Sequence, residues 1–388
     1  MLDLSSAFDT VDHEILLNEL KVIGLQGKAL NLIRSFLTGR TISVTAHGAV
    51  SSSVPLNCGV PQGSILGPIL FSIYIRSVTF LLDSLGVSYH MYADDLQIYF
   101  NFDSNRIDEL KSRVSLILDA ISKWTSLYKL KLNIKKTHIM IFGPNATVDN
   151  TRQKFGSINF NAHLLTPCDE AKNLGVWLDY KLDFNKHITT LIQACNFRLH
   201  NLKHIKPLIP PKLLIAVIHH EVINRIDYCN SLFFLLPKRQ LRRLQVIINR
   251  CARVIFNLPP RASVIDYLKD DLHWLPIGAR IDFKLLLIIH KALAIGSPEY
   301  ICDSLTPSMC GGLYRPRPPR GHAFVDRSFH ISAPRLYNQL PNDFKVEPLL
   351  PFKKKTKTFL YDTAFEQRLD SVLMYRASNG VYRYNSRR

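Results

Sequence analysis

Residues 87–100 alternate apolar and polar on both sides of one pair of acids, and that pattern leaves few folds open. Val87, Tyr89 and Met91 lead into Tyr92-Ala93-Asp94-Asp95, and Leu96, Ile98 and Phe100 lead out of it. A period of two on each flank predicts two antiparallel strands whose tight connection carries the carboxylates. A lone Asp-Asp is more often a solvated turn, because Asp is a favoured turn residue. A third carboxylate changes that, and Asp3 is the candidate. Such a set suits Mg²⁺, which takes oxygen ligands, and a pair of ions about 3.5–4 Å apart serves in-line displacement at phosphorus.

The 388 residues carry a formal charge of +18, which points to a polyanionic partner. Nucleic acid comes first and an acidic membrane surface second. Length and apolar content predict two or three globular domains. The seven cysteines, Cys58, Cys168, Cys195, Cys229, Cys251, Cys302 and Cys310, are scattered without a Cys-x-x-Cys pair. That spacing argues against a zinc ribbon and a disulfide framework, and for a reducing compartment. The first residues hold Asp3, Asp9 and Asp12 where a secretory leader would be basic and then apolar. The apolar runs from Ile65 and from Leu285 end at Arg76 and His290, short of the ~20 residues of a membrane span.

Helical spacing is expected from Ile15 to Ile23, from Ala29 to Leu37 and from Ile107 to Leu127, with Asp12 as the first N-cap. Thr41 to Ala46 and Leu130 to Phe142 read as strands, Pro144 to Gln153 as a loop, and Ala171 to Phe184 as a hairpin centred on Asp179-Tyr180-Lys181. From Lys186 to Leu293 the pattern is helical, broken at Pro207, Pro210-Pro211, Pro237, Pro259-Pro260 and Pro276. On a helical wheel Arg239, Arg242, Arg243, Arg250 and Arg253 share an arc of about 100° opposite Leu241, Leu244, Ile248, Cys251 and Ile255, a stripe able to follow a phosphate backbone. Tyr314 to Arg320, rich in Pro and Arg, reads as an extended linker. A short basic run, Lys353, Lys354, Lys355 and Lys357, and a terminal Arg387-Arg388 follow it.

Leu2-Asp3-Leu4-Ser5-Ser6-Ala7-Phe8-Asp9, Gly59-Val60-Pro61-Gln62-Gly63-Ser64, Tyr92-Ala93-Asp94-Asp95, Leu132-Asn133-Ile134-Lys135-Lys136-Thr137 and Asn173-Leu174-Gly175-Val176 occur in that order. The set resembles the palm of reverse transcriptases, most closely those of LINE-type (non-LTR) retrotransposons. The likeness continues through Leu272-His273-Trp274-Leu275-Pro276 to Arg280 and through Ala333-Pro334-Arg335-Leu336-Tyr337.

The resemblance implies an α+β fold: a palm with an antiparallel sheet and packed helices over 1–143, a connection with a primer-grip-like hairpin over 144–185, a mostly helical thumb over 186–300, and a basic C-terminal region over 301–388. It implies an RNA-directed DNA polymerase using dNTP, an RNA template, a DNA primer and two Mg²⁺ ions, with Mn²⁺ as the alternative. Asp3, Asp94 and Asp95 would hold the ions, with the Leu4 carbonyl as a further oxygen. Phe8 would exclude a 2′-hydroxyl, the group that separates RNA from DNA. Gln62 and Gly63 would contact the nucleotide, Lys136 would protonate the leaving pyrophosphate, and the arginine stripe would hold nucleic acid. Asp9 is expected to hydrogen-bond within the palm, and His13, His90 and His138 to be structural. A nuclear location is the family expectation; the sequence implies no oligomeric state.

The family's fingers subdomain precedes the first block, whereas this sequence opens just before Asp3. The expectation is therefore a first strand with exposed edges and impaired polymerisation. The rival readings are a nucleic-acid-binding remnant without catalysis and an RNA-dependent RNA polymerase, the latter disfavoured by Phe8.

Overall fold

A computed structural model describes residues 1–143, 145–307, 313 and 328–366. The chain divides into a mixed unit, Met1–Gly175, and a largely helical unit that starts at Val176, so the α+β expectation holds. The Pro/Arg stretch at 314–320, Cys310 and the terminal arginines lie outside the described residues. No described helix is long and apolar enough to cross a membrane.

In the mixed unit β1 (Leu2–Asp3) precedes helices α1 (His13–Val22) and α2 (Gly27–Leu37). The Asp12 carboxylate accepts from the Ile15 backbone N–H at 3.0 Å, the expected N-cap. Leu16, Leu17 and Leu20 form the buried stripe of α1, each contributing roughly 1.5–3 kcal/mol by leaving water. The alternating segment after α2 folds as an exposed arm, not one strand. Its β2 (Thr41–Ile42) pairs with β5 (Val54–Pro55), and β3 (Thr45–Ala46) pairs with β4 (Ala49–Val50).

The apolar run at 65–75 becomes α3 (Gly67–Tyr74), which buries Leu70, Phe71 and Tyr74, followed by α4 (Ser77–Ser84), which buries Val78 and Leu82. The acid-tipped hairpin is present as β6 (Ser88–Tyr92) and β7 (Asp95–Tyr99). Helix α5 has the expected bounds, Ile107–Leu127, and buries Ile117, Leu118, Ile121 and Trp124.

Two sequence expectations fail between residues 130 and 155. Leu130 to Phe142 is not a strand. It forms a 3-10 turn at Ile134–Lys136 and single bridges from Leu132 to Leu4 and from Ile139 to Pro167. The polar stretch after it is helix α6 (Asn145–Phe155), whose buried face is Val148, Thr151 and Phe155. A threonine in that stripe breaks its apolar pattern, yet its hydroxyl is satisfied by the Thr147 carbonyl at 2.7 Å. Strands β8 (Ile158–Phe160) and β9 (His163–Leu165) form a small hairpin, and β10 (Glu170–Asn173) ends the unit.

The second unit opens with β11 (Val176–Asp179), so the expected strand break falls at Leu174-Gly175 and not at Asp179-Tyr180-Lys181. The Asp179 carboxylate instead accepts from the backbone N–H groups of Lys181, Asp183 and Phe184 (2.7–3.2 Å) and shapes the entry to α7 (Asn185–Ile205). Then come α8 (Pro211–Ile218), α9 (Asn224–Asp227), α10 (Lys238–Phe256), α11 (Ile277–Ile295), α12 (Glu299–Asp303), α13 (Phe329–Tyr337), α14 (Asn342–Lys345) and α15 (Leu349–Glu366). The prolines read as breaks are mostly starts: Pro211 opens α8, and Pro237 and Pro276 cap α10 and α11. Leu244, Ile248, Cys251, Ile277, Leu286 and Ile289 lie at the core of this unit.

Candidate active site

The ladder of the first sheet sets the site. Strand β7 is central, with β6 on one side and β1 on the other, in register Leu2↔Leu96 and Asp3↔Asp95. Residues directly opposite in a ladder share a face, so Asp3 and Asp95 stand side by side while Leu2 and Leu96 point into the core. Strand β1 does not have the bare edge expected of it. On its outer side Asn133 N–H donates to the Asp3 carbonyl and Ser5 N–H to the Lys131 carbonyl (both 2.8 Å), and Met1 and His138 exchange backbone bonds at 2.9 Å. In that pattern Leu4 and Leu132 are a non-bonded pair, which turns the Leu4 carbonyl away from residue 132, toward the side of the hairpin turn.

Asp94 occupies that turn and is displaced from the shared face. It lines a small apolar cavity of about 20 Å³ with Leu2, Leu4, Met91, Leu96 and Leu132. Ala93 has φ 50°, in the left-handed region, which costs an L-residue roughly 1–2 kcal/mol.

Neighbouring charges act on Asp95. Burial raises the Asp95 pKa, the charges of Asp94 and then Asp3 raise it further, and Lys136 opposes them. The Lys136 ammonium lies 3.3 Å from Asp3 Oδ2, yet that buried oxygen accepts no hydrogen bond, so the contact is an undirected ion pair. A buried carboxylate oxygen without a donor is costly unless a cation meets it. Lys136 supplies that cation here, and the facing carboxylates of Asp3 and Asp95 are oxygen donors of the kind a hard divalent ion takes. Among the described residues, no three His, Cys, Asp or Glu side chains are close enough to enclose a metal ion as the turn stands.

The second block lies antiparallel to the first. Gly59 N–H donates to the Val11 carbonyl (2.7 Å) and Val60 N–H to the Phe8 carbonyl (2.9 Å), while His13 Nε2 meets the Gly59 carbonyl at 2.8 Å. A Cβ on Gly59, at φ 87°, would lie 2.9 Å from the Asp9 carbonyl oxygen, so only glycine permits this approach. The pairing brings Gln62 to Asp9, whose carboxylate accepts from the Gln62 amide at 2.8 Å. Asp9 therefore positions Gln62, as the internal hydrogen-bonding role anticipated. Gly63 has φ 81° and open space around it. Phe8 is half-buried and stacks on Phe71 of α3, with ring centroids 4.3 Å apart. Tyr74, which carries no motif of its own, ties the block from beneath. Its hydroxyl donates to the Tyr128 carbonyl (2.5 Å) and accepts from Asp12 N–H (3.2 Å).

Residues 1–178 match the family described as reverse transcriptase (RNA-dependent DNA polymerase). The RNA-directed DNA polymerase from mobile element jockey of Drosophila funebris is 36% identical over 204 residues, 51% of this chain and 21% of that protein. Over residues 1–178 the chain is similar to reverse transcriptases, and the relatives it matches come from mobile elements. Two other relatives of this reverse-transcriptase family, both of Drosophila melanogaster, are named probable RNA-directed DNA polymerases, from transposon BS and from transposon X-element. Each is 27% identical and covers 66% of this chain. The matches span only 21–29% of the length of these relatives.

In the helical unit, α10 has the predicted two faces, with Leu241, Leu244, Ile248 and Cys251 buried. The arginines do not behave as one stripe. Arg239, Arg242 and Arg250 are exposed, whereas Arg243 is tied to Gln240 and Thr189 (2.8 and 2.9 Å) and Arg253 to the Ala262 carbonyl (3.1 Å). Arg250 also bonds Asn196 at 2.7 Å. Charge spacing alone cannot distinguish an arginine that braces its neighbours from one that faces solvent.

Proposed function

We propose that this chain carries the palm and thumb of an RNA-directed DNA polymerase that extends a DNA primer on an RNA template. The observation that supports this most is Asp3 facing Asp95 across the ladder, with Asp94 on the adjoining turn and a donorless buried oxygen on Asp3. The primer 3′-hydroxyl oxygen would attack the α-phosphorus of a dNTP, forming one P–O bond as the bond to pyrophosphate breaks. Two Mg²⁺ ions, when bound by Asp3, Asp94 and Asp95, would lower the charge on the attacking and leaving oxygens. Lys136, 3.3 Å from Asp3, would donate a proton to the departing pyrophosphate.

Phe8 would lie under the sugar of the incoming nucleotide, with Gln62, held by Asp9, beside it. The stack on buried Phe71 would keep Phe8 from yielding to a 2′-hydroxyl. Phe8→Val is expected to raise ribonucleotide use relative to deoxynucleotide use by at least about tenfold, the worth of ~1.4 kcal/mol of lost steric exclusion. Single-nucleotide incorporation with rNTP and dNTP measures this, and an unchanged ratio would remove Phe8 from the role. The whole reading is tested by extension of oligo(dT) on poly(rA) with dTTP and Mg²⁺, where no product above an Asp94→Asn/Asp95→Asn control would sink it.

A second reading, a nucleic-acid-binding protein without catalysis, is favoured by the position of Asp94 away from the Asp3/Asp95 face. It predicts salt-dependent binding that the same double substitution leaves intact.

A further inference from the structure

Two imidazoles meet on the solvent side of α7. Cys195, Leu199 and Leu202 turn the opposite side of that helix into the core, so His200 and His204, four residues apart, are left exposed one turn above the other. Their Nε2 atoms lie 3.1 Å apart, with the rings crossing at 76° and their centroids 4.6 Å apart. One ring donates to the other, so one Nε2 carries the hydrogen and the other presents a lone pair. An exposed hydrogen bond of this kind is worth little against water. The same separation suits two ligands of a single ion. Imidazole nitrogens lie about 2.0–2.1 Å from zinc, and two of them 3.1 Å apart subtend roughly 95–102° at the ion, between the ~90° of an octahedral and the ~109° of a tetrahedral site. The exposed rings need only turn; the backbone already has the right spacing.

The surrounding charge decides whether a dication is admitted. Lys203 is exposed on the same turn and opposes it, through a field that water and salt screen. Lys206, which follows the helix, is engaged elsewhere: its ammonium donates to the Val254 carbonyl, the Ile255 carbonyl (3.2 Å) and the Asn257 side chain (2.5 Å). In favour of a cation is the place of the pair at the C-terminal end of a 21-residue helix, where the unsatisfied carbonyls sum to about half a negative charge.

From this we infer that His200 and His204 bind one borderline transition-metal ion, of the class of Zn²⁺, Ni²⁺ and Cu²⁺, through both Nε2 atoms, and that the ion braces the end of α7. Two rings fill two positions and water the others. Each ring then carries its hydrogen at Nδ1, a tautomer exchange through water with no net loss of a proton. Nitrogen donors set this pair apart from the carboxylates of Asp3 and Asp95, because Mg²⁺ takes oxygen and leaves imidazole to the later first-row metals. The brace would tie the last turn of α7 to the turn before it, next to the Lys206 contacts that hold the end of α10. The inference rests on neither functional reading above.

The test is calorimetric titration of the full chain with Ni²⁺ in the presence of excess Mg²⁺. His200→Ala and His204→Ala are each expected to weaken the tightest site at least about tenfold, since loss of a direct ligand costs no less than loss of a group that merely orients one. His163→Ala, which removes another exposed imidazole on β9, should stay within about threefold of wild type. Wild-type affinity in either His200→Ala or His204→Ala would mean a lone imidazole and no chelate, which overturns the inference; displacement of Ni²⁺ by Mg²⁺ overturns it too. Alanine is the best helix former and both positions are exposed, so α7 should persist, as circular dichroism would show. If His204→Ala does not fold, His204→Gln takes its place with the same expected loss. A second readout is thermal: the melting temperature of the wild type should climb with Ni²⁺ concentration, because the ion binds the folded chain. An equal climb in His200→Ala/His204→Ala would put the ion elsewhere and sink the proposal.

Discussion

Asp94→Asn/Asp95→Asn is expected to abolish primer extension, with a fall of at least about 100-fold for losing groups that offset charge directly at the reacting centre. The fold should survive it. Asp94 sits on a turn and Asp95 pairs with Tyr92 and Asp3 through its backbone, and neither carboxylate bonds another described residue's backbone in the way Asp12 and Asp179 do. Because Asn keeps shape and removes charge, the hairpin register has no reason to move. Extension by the double variant within threefold of wild type would mean that these carboxylates do not hold the ions.

The same substitution carries a sign that distinguishes a site from a structural cluster. Burial, Asp94 and Asp3 raise the Asp95 pKa in the folded chain, so folding favours the protonated form. The contribution of Asp95 to stability is thus fully present below its unfolded value, ~3.9, and lost as pH rises through its raised folded value. At neutral pH the charge opposes folding, and Asp95→Asn should melt at the same temperature as wild type or higher. Cation binding has the reverse dependence, since the ligand is the carboxylate. Mn²⁺ titrations across the mildly acidic range should show affinity falling at a higher pH than for an ordinary Asp, with protons released on binding. A substitution that lowers the melting temperature, with Mn²⁺ affinity flat over that range, would assign Asp95 to structure.

How much of this was legible beforehand depends on which forces act locally. The hairpin at 88–99 and helix Ile107–Leu127 follow directly from periodicity, because each buries a single face against one neighbour. Leu130 to Phe142 alternates like a strand, but its hydrogen bonds go to residues 1–5 at the far end of the sequence, so its shape is decided by a long-range partner. Helix α6 was hidden because a hydrogen-bonded threonine takes the place of an apolar residue in its stripe. Ordered motif blocks brought out Asp3, Asp95, Phe8 and Gln62. They could not show that the register leaves Asp94 off the face shared by Asp3 and Asp95.

Asp227→Ala is expected to cost the helical unit about 3–5 kcal/mol, a large part of the ~5–15 kcal/mol that holds a domain together. Arg280 belongs to the stretch from Leu272 whose resemblance to the family invites a functional role, yet the structure buries it. Its Nε donates to the Leu275 carbonyl at 2.7 Å and its terminal nitrogen to Asp227 at 2.8 Å, with the guanidinium 6.0 Å from the Trp274 ring centre. Burial lowers the Arg280 pKa and Asp227 works against that, the signature of a charge kept inside by its partner. Removing Asp227 leaves the cation uncompensated and also takes away the acceptor for the Asn230 amide, whose own oxygen is already buried without a partner. Urea unfolding followed by tryptophan fluorescence should show the midpoint falling. Asp227→Leu/Arg280→Met should recover much of the loss, because an apolar pair needs no compensation. Nucleic-acid binding should decline only where Asp227→Ala is unfolded and return in the double variant. A cost below about 1 kcal/mol, or binding lost from a fully folded Asp227→Ala chain, would instead make Arg280 part of a ligand site.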